Sequence, residues 1–323
     1  PQSGGDLIAA QFRAAARLGI RLVASRGSMD LSQKDGGLPP DSVVQTIDEI
    51  LADSERLVRV WHDPSRFSMR QVALAPCSPF SVSGDLLRES ADLARSLGVR
   101  LHTHVAETRD EEQFTLEKYG LRPLAYLHSL GWTGPDVWYA HGIWFNDAEL
   151  RLLADTGTGV AHCPASNMKL ASGVCRVPEM RKLGVPVGLA VDGAASNDGS
   201  SLLEEMRVCY LLHRLHSSAA APTGYDVLKM ATRGSARLLG RDDLGQLAPG
   251  KAADFFLVNL ERLGLVGAQF DPMSMLGTVG FPGSVDYTVV GGVPVVQQGE
   301  LTTVDETELV LKANQVVRRY LGR

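Results

Sequence analysis

Four short segments carry side chains whose types and spacing could do chemistry. LHTHVAET (101–108) holds His102, His104 and Glu107; WYAHGIW (138–144) holds His141; AHCPASN (161–167) holds His162; GLAVDGAASND (188–198) holds Asp192. Each begins as an apolar β-type run and ends in a titratable residue. Alternation along a strand points His102 and His104 the same way. Glu107 lies three residues beyond His104, at the start of a loop, where it could handle a proton. Imidazole and carboxylate are the usual zinc ligands, and a catalytic site keeps one position open for water. A single strand-end His is more often a hydrogen-bonded structural residue, and an Asp before Gly more often a turn. Four such residues on successive strand ends point instead to a metal or acid–base site.

Strands must hold these ends together. Runs reading as strands fall at Ile20–Ser25, Val72–Ala75, Val99–Val105, Val137–Ala140, Gly159–His162 and Pro186–Val191. Between and after them lie helical patterns: a first helix over LIAAQFRAAARLG, then Val43–Arg59, Gly84–Leu97 behind a Ser83 N-cap, Arg109–Tyr119, Asp147–Ala154, Pro178–Lys182, Ser201–His216 and Gly224–Leu239. A repeated βα pattern implies a parallel sheet. Six strands are two short of a closed barrel. An open doubly wound sheet is the other solution, and no G-x-G-x-x-G follows a strand to support a dinucleotide site. Beyond Leu239 the pattern turns to short Val-rich runs with Gly turns, including Gly291–Gly292 as a hairpin turn, and then a helical stretch over Asp305–Leu321.

The bulk numbers exclude several classes. The chain has 323 residues, 44% hydrophobic and 21% charged, with net charge −5 and pI near 5.9. That is a globular balance without the clustered Lys and Arg of a nucleic-acid binder. No apolar run reaches transmembrane length, and the first residues do not read as a signal peptide. The partners expected are therefore small molecules, not nucleic acid or membrane, and homo-oligomerisation stays open. Cys77, Cys163, Cys175 and Cys209 form no C-x-x-C pair and read as free thiols of a cytoplasmic protein.

HTHVAET, YAHGIWF, HCPASNMKLASG and VDGAASND together resemble the motifs of the amidohydrolase superfamily, in its purine and triazine deaminase branch. The tail GQLAPGKAADFFLVNL is similar to that family's C-terminal β-sandwich return. The resemblance implies an α/β fold: a (β/α)8 TIM-type barrel with a small β-sandwich domain. Residues 1–243 would be barrel strands three to eight, 244–304 the C-terminal part of the β-sandwich, and 305–323 a closing helix. The family's first-strand H-x-H pair has no counterpart here, so the expectation is that the first two strands are missing from this sequence. The other zinc deaminase class, with its H-x-E and P-C-x-x-C signature, does not match.

Carried over, the resemblance makes His104 and Asp192 ligands of one divalent metal, expected to be Zn2+. It makes Glu107 the proton shuttle, His141 the partner of a metal-activated water, and Asp192 its base. The implied reaction is hydrolytic deamination of an aminated purine, with 8-oxoguanine converted to urate and ammonia. GGLPPDSVV, APCSPFS and LHTHVAETRDEEQF most resemble the 8-oxoguanine deaminase group. Relatives that act on triazines, guanine or an adenosine-type nucleoside remain the alternative, and a non-catalytic binding protein on the same fold is a second. Cys77, Trp144 and Asn197 are the candidate substrate-binding residues. Cys77 could equally be a small buried hydrophobe, and Trp144 a packing residue. Asn167 and Lys169 could bind substrate or cap turns. His102 and His162 read as structural, and His62, His128, His213 and His216 as non-ligands.

Overall fold

The computed structural model describes residues 6–281 and 283–322. Residues 1–5 of the expected barrel segment and residue 323 of the expected closing helix lie outside that range. Six parallel strands, β1 (Leu22–Ser28), β2 (Arg70–Pro76), β3 (Arg100–Val105), β4 (Val137–His141), β5 (Gly159–His162) and β6 (Val187–Leu189), pair in chain order. Among the described residues β1 and β6 each pair on one side only, so the strands form an arc of barrel type.

Local chemistry fixes the helices between them. The helix Ile47–Trp61 starts at a capping box in which Thr46 and Glu49 satisfy each other's backbone N–H groups. The helix Gly84–Leu97 starts at Ser83, whose Oγ accepts from Leu86 N, and it ends at Gly98 in the left-handed region. Large apolar side chains such as Leu86, Leu101, Leu124, Tyr139 and Leu150 fill the layer between strands and helices. The opposite face of the sheet carries a smaller cluster of Ala73, Trp138, Ala161 and Leu238.

Several boundaries differ from the sequence expectation. β1 runs on to Ser28, because its register with β2 continues through Gly27↔Ala75 and Ser28↔Pro76. The stretch expected as one helix over Gly224–Leu239 contains a π-helical turn at Met230–Gly234. There Gly234 packs its Cα directly on the Val187 carbonyl of β6, an approach that a side chain would block. The short helices Pro123–Ser129 and Pro164–Lys169 were not expected; each has Pro in its first turn.

A second, antiparallel sheet contains β7 (Phe255–Leu257), β8 (Tyr287–Val290), β9 (Val293–Gln297) and β10 (Glu300–Leu301). Gly291 and Gly292, at φ 58° and 83°, form the β8–β9 turn as expected. Arg21, just before β1, is tied to Asp254, just before β7, by two hydrogen bonds of 2.6 and 2.9 Å. The last helix, Glu306–Tyr320, has no buried residue. No helix of the described residues is long and apolar enough to cross a membrane.

Candidate active site

The carboxyl ends of β3, β4 and β6 bring His104, His141 and Asp192 together: one donor atom from each lies within 4.8 Å of the others. The backbone does this at a conformational cost. His141 and Asp192 have φ of 70° and 68°, and Ala106 after β3 has 53°. Non-glycine residues are strained in this region, and such positions cluster where a site is over-determined by its surroundings.

Hydrogen bonds behind each imidazole set its tautomer. His104 Nδ1 lies 2.7 Å from the Cys77 carbonyl, which can only accept, so Nδ1 carries the proton and Nε2 presents a lone pair in the neutral ring. His141 Nδ1 lies 2.9 Å from Asn167 Oδ1, and its Nε2 faces Glu107 Oε2 at 3.6 Å. The Asp192 carboxylate accepts from Ser166 Oγ at 2.6 Å and from the Gly193 N–H at 2.6 Å. With His104 in its neutral form, two ring nitrogens with lone pairs and one anchored carboxylate are a donor set suited to a borderline divalent cation.

Glu107 is positioned by a residue the sequence analysis did not single out. Glu111 is buried, four residues on, and its carboxylate accepts from the backbone N–H groups of Ala106 and Glu107. Burial pushes Glu111 up to about 7, against the pull of those two bonds. Ser172 Oγ sits 3.5 Å from Glu107 Oε1. Burial opposes a charge on His104, while the Cys77 thiol and the Glu107 carboxylate favour it; the balance lies upward, at about 9. Burial likewise raises the Cys77 thiol, but the facing His104 outweighs it and holds the thiol below its usual range. His102, stacked on Trp138 with ring centroids 4.9 Å apart, is driven down to about 3, chiefly by burial.

The three candidate substrate residues fall in different places. Cys77 lines a cavity of about 750 Å³ together with His102, His104, Met29 and Gln45. That volume is in the range of small-molecule sites. Trp144 is half-buried against the core, its Nε1 donates to the Ser172 carbonyl at 3.0 Å, and Arg109 lies over its ring. Asn197 Nδ2 donates to the Val191 carbonyl and to Glu205 Oε1, both at 2.6 Å, so its donors hold the loop after β6. Lys169 bridges to Asp198 and the Ala195 carbonyl in the same loop. His162 packs on His213 and is not among the donors that His104, His141 and Asp192 bring together. Ser166 and Asn167 both belong to the HCPASN run, whose spacing places two polar side chains just behind the neighbouring strand ends.

A parallel sheet with catalytic-type side chains at its carboxyl ends is the arrangement of a barrel-type enzyme scaffold. The amidohydrolase family pattern matches residues 2–295, and the chain belongs to that family. It is similar to the 8-oxoguanine deaminase of Pseudomonas aeruginosa, 50% identical over 91% of this chain and 65% of the relative. It is also similar to the hydroxydechloroatrazine ethylaminohydrolase of Pseudomonas sp. strain ADP, 46% identical over 99% of this chain and 67% of the relative. Among solved structures it resembles a mutant of atrazine chlorohydrolase from Arthrobacter aurescens TC1 complexed with zinc and atraton. That likeness has a TM-score of 0.94 and 32% identity, covering 98% of this chain and 70% of that one. The chain thus spans about two thirds of the length of the relatives it matches.

Proposed function

We infer that this chain carries the catalytic face of a metal-dependent aminohydrolase acting on a free aminated purine, with 8-oxoguanine as the substrate and urate and ammonia as products. The observation that carries this reading is the convergence of His104, His141, Glu107 and Asp192 at adjacent strand ends, each with its own anchoring partner. A binding protein has no use for two lone-pair nitrogens, a buttressed carboxylate and a second acid within reach. The identity to an 8-oxoguanine deaminase supports the choice of base.

His104 and Asp192 would hold one divalent ion, for which zinc fits the nitrogen and oxygen donors. Bound there, the ion supplies Lewis acidity, which makes water nucleophilic near neutral pH. Asp192 takes the proton that the attacking water loses, and Ser166 and the Gly193 N–H keep its carboxylate oriented for that step. Glu107 gives a proton to the ring nitrogen next to the amino-bearing carbon, which lets that carbon become tetrahedral. The C–N bond then breaks as Asp192 passes the water's proton to the amine, which leaves as ammonia, and the hydroxyl proton returns to Glu107 as the new C–O bond becomes the carbonyl. His141 Nε2 faces the same space as Glu107, and its lone pair accepts a hydrogen bond from the attacking water and so orients it. Cys77, on the cavity wall beside His104, presents a small and weakly polar surface to a flat heterocycle.

Ammonia release from 8-oxoguanine by metal-loaded protein tests the reading. Turnover that requires metal and disappears in Glu107→Gln supports it. Release that is insensitive to chelation, or none at any metal loading, removes it. A hydroxylated aminotriazine presents the same amino-substituted aromatic carbon, and the 46% identity to a triazine aminohydrolase makes it the second substrate to assay.

A further inference from the structure

We propose that His162, Cys209 and His213 form a second, structural metal site, separate from the cluster at the strand ends. His162 closes β5, while Cys209 and His213 lie four residues apart on the helix Leu202–Ser217, so they share one helix face. One donor atom from each of the three lies within 4.8 Å of the others, and all three residues are buried.

The two imidazoles meet in an unusual way. His162 Nε2 and His213 Nε2 lie 3.2 Å apart. Two zinc–nitrogen bonds of ~2.0 Å at a tetrahedral angle put their nitrogens ~3.3 Å apart, so the spacing is that of two ligands on one ion. Without an ion the pair must share a single proton across the contact. Burial drives both rings well toward the neutral form, the form that donates a lone pair. Both Nδ1 atoms are without a hydrogen-bond partner among the described residues. Two imidazole nitrogens and a sulfur select a borderline or soft ion, such as zinc, over magnesium or calcium. Binding would cost Cys209 its thiol proton, released to solvent, while one ring moves its proton from Nε2 to Nδ1. Burial raises the Cys209 thiol to about 12, so without an ion it stays protonated.

Such an ion would tie β5 to the helix that follows the Asp192 loop. That helix also carries Glu205, which accepts from Asn197 in the same loop and from Ala165 N after β5. A fixed distance between β5 and this helix therefore sets where the loop after β6 sits.

Protein expressed in cobalt-supplemented medium gives the test. We expect a thiolate-to-cobalt charge-transfer band in the near ultraviolet, and about one equivalent of metal per chain that survives in Asp192→Asn. The band should vanish in Cys209→Ala and persist in Cys77→Ala. Metal-replete wild type should also unfold at a higher temperature than metal-free protein, with the difference abolished in Cys209→Ala. If Cys209→Ala does not fold, Cys209→Ser and the wild-type spectrum decide. Absence of the band in wild type, or its persistence without Cys209, overturns the proposal and leaves a hydrogen-bonded core pair of histidines.

Discussion

His141 is held between two residues: Asn167 Oδ1 lies 2.9 Å from its Nδ1, and Glu107 Oε2 lies 3.6 Å from its Nε2. The carboxamide oxygen cannot donate, so it selects the tautomer in which Nδ1 carries the proton. The nitrogen facing Glu107 and the metal-type donors is thereby the one with the free lone pair. Asn167 is fully buried, and its side-chain oxygen meets the site at His141.

Asn167 is then a positioning residue. Asn167→Leu should lower kcat by ~10- to 100-fold, the usual effect of losing a supporting hydrogen bond behind a metal-site histidine. Asn167→Asp keeps the acceptor and should recover most of the loss. Equal losses in both variants, with unchanged pH profiles, would show that Asn167 matters only for packing.

The two carboxylates should separate by metal content. Glu107→Gln and Asp192→Asn should each reduce kcat by ~10² to 10⁴-fold, the range for a positioned acid–base group. Asp192→Asn should also lose the metal held at the strand ends, seen as about one equivalent fewer than wild type by elemental analysis of dialysed protein, whereas Glu107→Gln should match wild type. Metal loss in Glu107→Gln would make Glu107 a ligand instead of a proton carrier.

Asp243 gives a prediction about stability and pH. Its carboxylate is buried, paired to Arg241 by two bonds of 2.8 Å, and it also accepts from the Phe67 N–H at 2.8 Å. The Arg241 guanidinium holds its pKa at about 2, below the ordinary 3.8. Because the folded value is the lower one, the stabilisation is complete above pH ~4 and fades as pH falls toward ~2; it amounts to ~2 kcal/mol. Asp243→Asn should therefore destabilise the protein at pH 7 by ~3 kcal/mol, since it leaves Arg241 buried and unpaired. Urea melts should show the gap between variant and wild type narrowing below pH 3. A gap that is constant with pH would mean that the Asp243 charge contributes nothing.

Much of this arrangement was legible in the sequence. β5 and the helices Gly84–Leu97 and Arg109–Tyr119 fall where the periodicity put them; both helices stop at a left-handed glycine, Gly98 and Gly120, and Ser83 caps the start of the first. Strand ends alone gave a wider set that included His162, and the narrowing to His104, His141 and Asp192 came with the family resemblance. What stayed hidden depends on contacts distant in the chain. Alternation cannot show that His141 and Asp192 adopt positive φ, since nothing local to an isolated strand demands it. Asn197 reads as a polar loop residue until Glu205, from the next helix, takes its amide. His213 reads as an ordinary helix residue until β5 brings His162 against it. Glu111 could have been found, because a carboxylate four residues after Glu107 on a new helix can fold back on that helix's own start.

Relative kcat/KM for ammonia release tests most directly the proposal that the site deaminates a free purine. Metal-loaded protein would be assayed on 8-oxoguanine, guanine, adenosine and methylthioadenosine. Efficient turnover of 8-oxoguanine is expected. Guanine should be poorer by as much as ~10⁴-fold where the site hydrogen-bonds the 8-oxo group, because that partner is then left unpaired. Neither nucleoside should react. Preference for either nucleoside would contradict the claim and overturn the reading of Cys77, whereas preference for guanine would leave the deamination chemistry standing and remove the 8-oxo assignment.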